Sequence, residues 1–142
     1  MSELSHRIRV FAYRVHEGHL DYLLLKSARG VDGTWSPING PIAFGEQLES
    51  AVKREVKSDT GIVKSARVID LDMTTRWLLG DEEVVEWNYG FRVEGAGESI
   101  SLDEERWSAF RWANFTDAYP SLVLAYDRAA IMRLHSMLGE AC

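Results

Sequence analysis

GPIAFGEQLESAVKREVKSDTGI, residues 40–62, is the stretch on which the reading of this chain turns. Residues 46–59 contain neither proline nor glycine, and Thr60-Gly61 follows as a stop. Glycine is the residue that most readily takes the left-handed conformation closing a helix, so Gly61 has a structural role. Leu48, Ala51 and Val52 fall on one helical face, and Val56 extends it. About two turns beyond the first three stand Glu55, Ser58 and Asp59. A stripe that begins as core therefore ends in two carboxylates and a hydroxyl.

Carboxylates on a core-facing stripe are costly unless they are paired, hydrogen-bonded or bound to a cation. Asp59 also sits near the helix C-terminus, where the dipole disfavours negative charge by about 0.3–1 kcal/mol. Two compensations fit. One is a hard divalent cation such as Mg²⁺, which takes oxygen ligands and keeps waters for a phosphate substrate. The other is simple pairing with Arg54 or with a basic residue elsewhere. The segment ahead of the helix, Trp35-Ser36-Pro37-Ile38-Asn39-Gly40 leading to Gly45-Glu46, reads as a glycine-punctuated loop entering a helix N-terminus. Loops of this kind let backbone approach a ligand closely.

Taken whole, the stretch resembles the Nudix box, G-x5-E-x7-R-E-U-x-E-E-x-G-U with U aliphatic. Gly40, Glu46, Arg54, Glu55, Val56, Gly61 and Ile62 match at the required spacing. Ser58 and Asp59 stand where the family carries two adjacent glutamates. The resemblance implies an α+β fold, the Nudix-type α/β/α sandwich with a mixed central sheet. It also implies Mg²⁺- or Mn²⁺-dependent hydrolysis of a pyrophosphate bond in a nucleoside diphosphate linked to another group, or in a nucleoside triphosphate.

On that resemblance Glu55 and Asp59 are metal ligands and catalytic acids, with the Gly40 carbonyl as a further ligand. Arg54 orients Glu55, and Glu46 holds the loop to the helix. Family strand-end and loop positions make Lys26 and Arg29 candidate phosphate binders. Trp35, Trp77, Trp87 and Phe44 are candidates to stack a substrate base, and the W-x4-G spacing that Trp35 heads resembles the branch that hydrolyses dATP and dihydroneopterin triphosphate. The family's remaining metal-site glutamate precedes an F/Y-R-W strand, matched here by Phe110-Arg111-Trp112. The residue aligning with that glutamate is Arg106, and its acidic neighbour Glu105 is the candidate ligand. Ser58 cannot supply charge to an ion and Asp59 is one methylene shorter than glutamate, so the resemblance leaves two functions open: an impaired or reconfigured hydrolase, or a non-catalytic module binding a nucleotide or a protein.

Length and composition are consistent with one soluble domain spanning residues 1–142. The net charge of −6 argues against binding a nucleic acid polymer, though not a single nucleotide. Cys142 is the lone cysteine, which excludes a disulfide framework and a cysteine zinc site. No signal peptide or membrane-length apolar run is evident, so a cytoplasmic protein with no membrane partner is expected.

Around the box, residues 1–6 lack an apolar pattern and read as a loose end. Residues 7–15 and 20–25 read as a hairpin of two strands, followed by a polar loop over residues 26–34. Residues 62–72 read as a strand that 73–79 continues with a bend. After the Gly80-Asp81 turn comes the longest strand, 82–93, with Trp87, Tyr89 and Phe91 on its core face and Glu86 on the other, read as a solvent-facing acid in preference to an extra carboxylate beside a site. Residues 94–97 turn, 99–102 form a short strand or edge, and 108–113 form a strand. Residues 121–138 read as one amphipathic helix, with Pro120 in its first turn and His135 in its last.

Overall fold

Alternation along the first long strand sends apolar side chains to both faces: Ile8, Val10 and Ala12 to one, Phe11 and Tyr13 to the other. Such a strand belongs at the centre of a covered sheet. The computed structural model, which describes residues 3–29, 34–95 and 99–140, places it there. β1 (Glu3–His16) turns through Glu17-Gly18, both at positive φ as a tight hairpin requires, into antiparallel β2 (His19–Ser27). β3 (Trp35–Ser36) pairs with β2, and β4 (Ile38–Pro41) pairs antiparallel with β1 through residues 7–10.

Next comes α1 (Leu48–Thr60), then the long hairpin of β5 (Ser65–Leu79) and β6 (Glu82–Val93). β6 runs parallel to β1, so the seven-stranded sheet is mixed. β7 (Trp107–Ala113) pairs with β2, and the chain ends in α2 (Phe115–Ser121) and α3 (Ala125–Glu140).

Two cores flank the sheet. Ala51, Val52 and Val56 of α1 pack over Ile8, Val10, Leu23, Leu25 and Phe91. On the opposite face Ala118 of α2 and Ala130, Ile131 and Leu134 of α3 cover Phe11, Tyr22, Leu24 and Leu71. The architecture is thus α+β, helices on both faces of a mixed sheet. Among the described residues no helix is long and apolar enough to cross a membrane.

Several expectations need correction. Residues 3–6 are not a loose end: the parallel ladder with β6 begins at Glu3↔Glu82. The segment read as a loop over residues 35–40 holds two short strands, because Ile38 enters the core and its neighbours pair with β1. Residues 99–102 form no strand. The terminal helix is two helices, and Pro120 lies inside the first of them. Lacking an N–H, Pro120 weakens that helix, which ends one residue later, and Leu122 is extended and bridges to Trp35. Glu86 is buried rather than solvent-facing. Residues 1–2, 30–33, 96–97 and Cys142, on which the loose end, the polar loop, a turn and the lone thiol were read, lie outside the described residues.

Candidate active site

α1 presents Glu55 and Asp59 one turn apart on its inner side, at 4% and 0% exposure. Ser58 does not join them; it is exposed. Gly40 lies in β4 opposite Ile8, and a Cβ there would stand 1.9 Å from Glu55 Oε1. Glycine at this position is what lets the carboxylate lie against the strand.

A second cluster fixes the loop to the helix. Arg54 donates from Nε to Glu46 Oε2 at 2.8 Å, and from Nη2 to Glu46 Oε1 at 3.0 Å and the Pro41 carbonyl at 2.7 Å. Its Nη1 donates to Glu55 Oε1 at 3.2 Å. Glu46 Oε1 also accepts the Ala43 N–H at 3.0 Å. The Arg54 guanidinium holds the Glu46 carboxyl below its ordinary pKa.

The charge that compensates the buried acids comes from the turn before β7. Arg106 Nη1 donates to both carboxylates, to Glu55 Oε2 at 3.0 Å and to Asp59 Oδ1 at 2.8 Å. Its Nη2 donates to the Asn39 carbonyl at 2.9 Å. The turn is pinned in place: the Asp103 N–H donates to Asp59 O, the Arg106 and Trp107 N–H groups donate to Asp103 O, and the Ala28 N–H donates to Arg106 O. Asp59 Oδ2 is buried with no hydrogen-bond partner. Burial, then the adjacent Glu55 carboxylate, pushes the Asp59 pKa up to about 7, against the opposing pull of Arg106.

Magnesium asks for near-octahedral oxygen ligation. Here two carboxylates and one carbonyl converge, and a guanidinium nitrogen already lies where they meet. Glu105 lines the cavity next to Arg106, with its side chain exposed and its backbone N–H donating to Asp103 Oδ1. The carbonyl that accepts from Arg106 in this cluster is that of Asn39. Among the described residues no group of three or more His, Cys, Asp or Glu side chains is arranged to hold a metal ion. The residues in this arrangement do not fit a divalent ion.

Two cavities open beside the cluster, and Asn39 lines both. The smaller, about 380 Å³, is walled by Ser27, Arg29, Ser36, Glu105 and Arg106. The larger, about 880 Å³, has Trp77, Trp87 and Phe44 in its lining together with Arg7 and Glu86. Arg29 thus borders the site, whereas Lys26 is half-buried within β2 and lines neither cavity. Trp35 packs toward the second core beneath Arg111, 5.3 Å from its ring, and also lines neither.

Sequence reasoning missed a buried ionic network beneath the larger cavity. Arg9 Nε and Nη2 each donate to Asp127 at 2.6 Å, and Nη1 donates to Glu86 Oε2 at 3.2 Å. The Trp77 indole N–H takes the other Glu86 oxygen at 2.9 Å. Arg7, half-buried, donates to Asn39 Oδ1 at 3.2 Å. The available signal was alternation itself, which sets Arg7 and Arg9 on one face of a strand whose other positions are core.

A mixed sheet with the helix of Glu55 and Asp59 on one face and two helices on the other, Glu55 lying against the strand of Gly40, defines the class. The chain belongs to the NUDIX domain family, whose model matches residues 5–134. Solved structures agree in fold. One from Listeria monocytogenes, described as a NUDIX hydrolase, is 16% identical, with a TM-score of 0.82 over 96% of this chain and 95% of that one. The NUDIX domain of Shewanella oneidensis NrtR, complexed with ADP ribose, is 19% identical, with a TM-score of 0.74 over 97% and 89%. The Escherichia coli dihydroneopterin triphosphate pyrophosphohydrolase is 21% identical, with a TM-score of 0.73 over 89% and 91%. No curated protein matches the chain in sequence.

Proposed function

We propose that this NUDIX domain binds a small nucleotide-like diphosphate and retains it without metal-dependent turnover. One observation carries the reading: both box acids, Glu55 and Asp59, are joined to a single nitrogen of Arg106. A water-activating ion would have to be held by those same two carboxylates. The larger cavity supports a ligand with a flat aromatic part and a polar part, because indole faces stack on bases and Arg7 offers donors to an oxyanion. Its volume of about 880 Å³ suits a molecule of nucleotide size. The NrtR neighbour, complexed with ADP ribose, is consistent with that ligand class.

A second reading, pyrophosphate-bond hydrolysis with Mg²⁺ or Mn²⁺, is favoured by family membership and by the unpartnered Asp59 Oδ2. It requires Arg106 to leave the acids, and its side chain is 36% exposed. One experiment separates the two. A panel of nucleoside diphosphate sugars, dinucleoside polyphosphates and nucleoside triphosphates is screened for thermal stabilisation and for phosphate or pyrophosphate release, in EDTA and in Mg²⁺ or Mn²⁺. The binding reading expects stabilisation in EDTA with no release. Metal-dependent release that disappears in Glu55→Gln establishes the hydrolase instead, and no stabilisation by any compound removes the nucleotide reading.

A further inference from the structure

We infer that Arg106 is a resident counter-ion: its guanidinium has taken over both the charge compensation and the cross-linking that a divalent ion would supply to this box, so the native site does not bind such an ion. The inference concerns the same box as the function proposed above and rests on reading Glu55 and Asp59 as its acids.

The geometry is specific. One guanidinium joins three separate segments: α1 through Glu55 and Asp59, β4 through the Asn39 carbonyl, and the turn before β7 that carries Arg106 itself. An oxygen-ligated ion at this point would tie the same segments. Arginine does so with fixed, planar donors and a charge that it keeps at any ordinary pH. Glu55 is also flanked by Arg54 at 3.2 Å, so two cations already face the two acids. An incoming divalent ion would meet like charge at contact distance on the side where it needs ligands. The position that could restore a negative charge on α1 carries Ser58, neutral and turned to solvent.

The arrangement also accounts for the sequence. Once an arginine stands at position 106, a further carboxylate from that turn has no ion to meet, and Glu105 is indeed exposed. The Trp107 ring beneath the guanidinium, 5.0 Å away, helps hold it over the acids.

Binding of Mn²⁺ alone to the full chain tests this, read by the electron paramagnetic resonance of free Mn²⁺ and by melting temperature with and without the ion. Wild type is expected to show no one-to-one site and no metal-dependent melting shift. Arg106→Glu is expected to melt lower than wild type in EDTA, to be rescued by Mn²⁺, and to bind it at least about tenfold more tightly than wild type. Arg106→Gln, closer in size and neutral, gives the same direction with a smaller gain and serves if the glutamate variant does not fold. One-to-one Mn²⁺ binding by wild type that is lost in Glu55→Gln overturns the inference, and so does the absence of any gain in the folded Arg106 variants. Nucleotide-induced stabilisation in EDTA is scored separately, so a failure of the proposed ligand class leaves the metal result standing on its own.

Discussion

Gly40 and Glu55 share one space: a methyl group on Gly40 would stand 1.9 Å from Glu55 Oε1 and 2.2 Å from its Cδ. The end of a glutamate side chain is normally free to swing away, but this one is buried and held between Arg54 and Arg106. Gly40→Ala should therefore displace the carboxylate and break both pairings, costing about 2–4 kcal/mol. Urea denaturation measures it. An alanine variant within about 0.5 kcal/mol of wild type would show that the acid has another place to go.

Asp59 predicts a pH dependence. Burial and then Glu55 raise its pKa from 3.8 to about 7. Between those values the folded chain holds the proton more tightly than the unfolded chain. The stability contributed by this group is therefore full below about 3.8 and is lost as the pH rises through about 7. Asp59→Asn carries no such proton. The difference in melting temperature between wild type and variant should shift against wild type between pH 4 and about 7 and then level off. A difference that stays flat with pH would mean that the proton is held elsewhere.

Arg54 is the hinge between loop and helix, and its fork matters more than its charge. Arg54→Lys keeps the positive charge but cannot span both oxygens of Glu46, the Pro41 carbonyl and Glu55 together. Because the side chain is 41% exposed, the expected loss is only about 1 kcal/mol. The local effect should be larger: amide exchange at Ala43, whose N–H donates to Glu46, is expected to quicken while exchange in the β1–β6 ladder does not. Equal protection at Ala43 in both proteins would free the loop from this clamp.

Much of the framework was legible because it depends on local chemistry. The glycine stop at Gly61, at φ 78°, is the left-handed cap that its position required, and the break in β5 falls between Asp70 and Thr74, within the stretch where the pattern faltered. The acids on α1 could also be read as needing compensation, since burying charge is costly in any fold. What supplied the compensation could not be read from α1. Arg106 lies 47 residues beyond Asp59, and only the turn pinned by Asp103 brings it back. Glu86 was misjudged for the same reason. Alternation gave its face correctly, but whether that face met solvent or Arg9 depended on a parallel pairing between distant strands. Family analogy pointed to the helix acids and to Glu105 beside the arginine in register; in the structure it is Arg106 that donates to Glu55 and Asp59, while Glu105 is exposed.

The Arg9–Asp127 pair offers the sharpest test of how the larger cavity is supported. Both residues are almost wholly buried, joined by two bonds of 2.6 Å, with Tyr126 stacked 5.2 Å over the guanidinium. Burial raises the Asp127 pKa and Arg9 opposes it, so the pair survives only because each partner compensates the other. Asp127→Asn leaves Arg9 with Glu86 as its one acid and should cost about 3 kcal/mol. Arg9→Leu strands Asp127 and Glu86 together and should cost at least as much. The double variant Arg9→Leu with Asp127→Leu, made in a Glu86→Gln background, removes the buried charges at once. It should be more stable than the sum of the Arg9→Leu and Asp127→Leu losses, each measured in that same Glu86→Gln background, predicts, by a coupling of about 2 kcal/mol. Denaturation of the four members of that cycle gives the coupling directly. Simple additivity would show that water reaches the network from the cavity, and that Arg9 is solvated there rather than held by its partner.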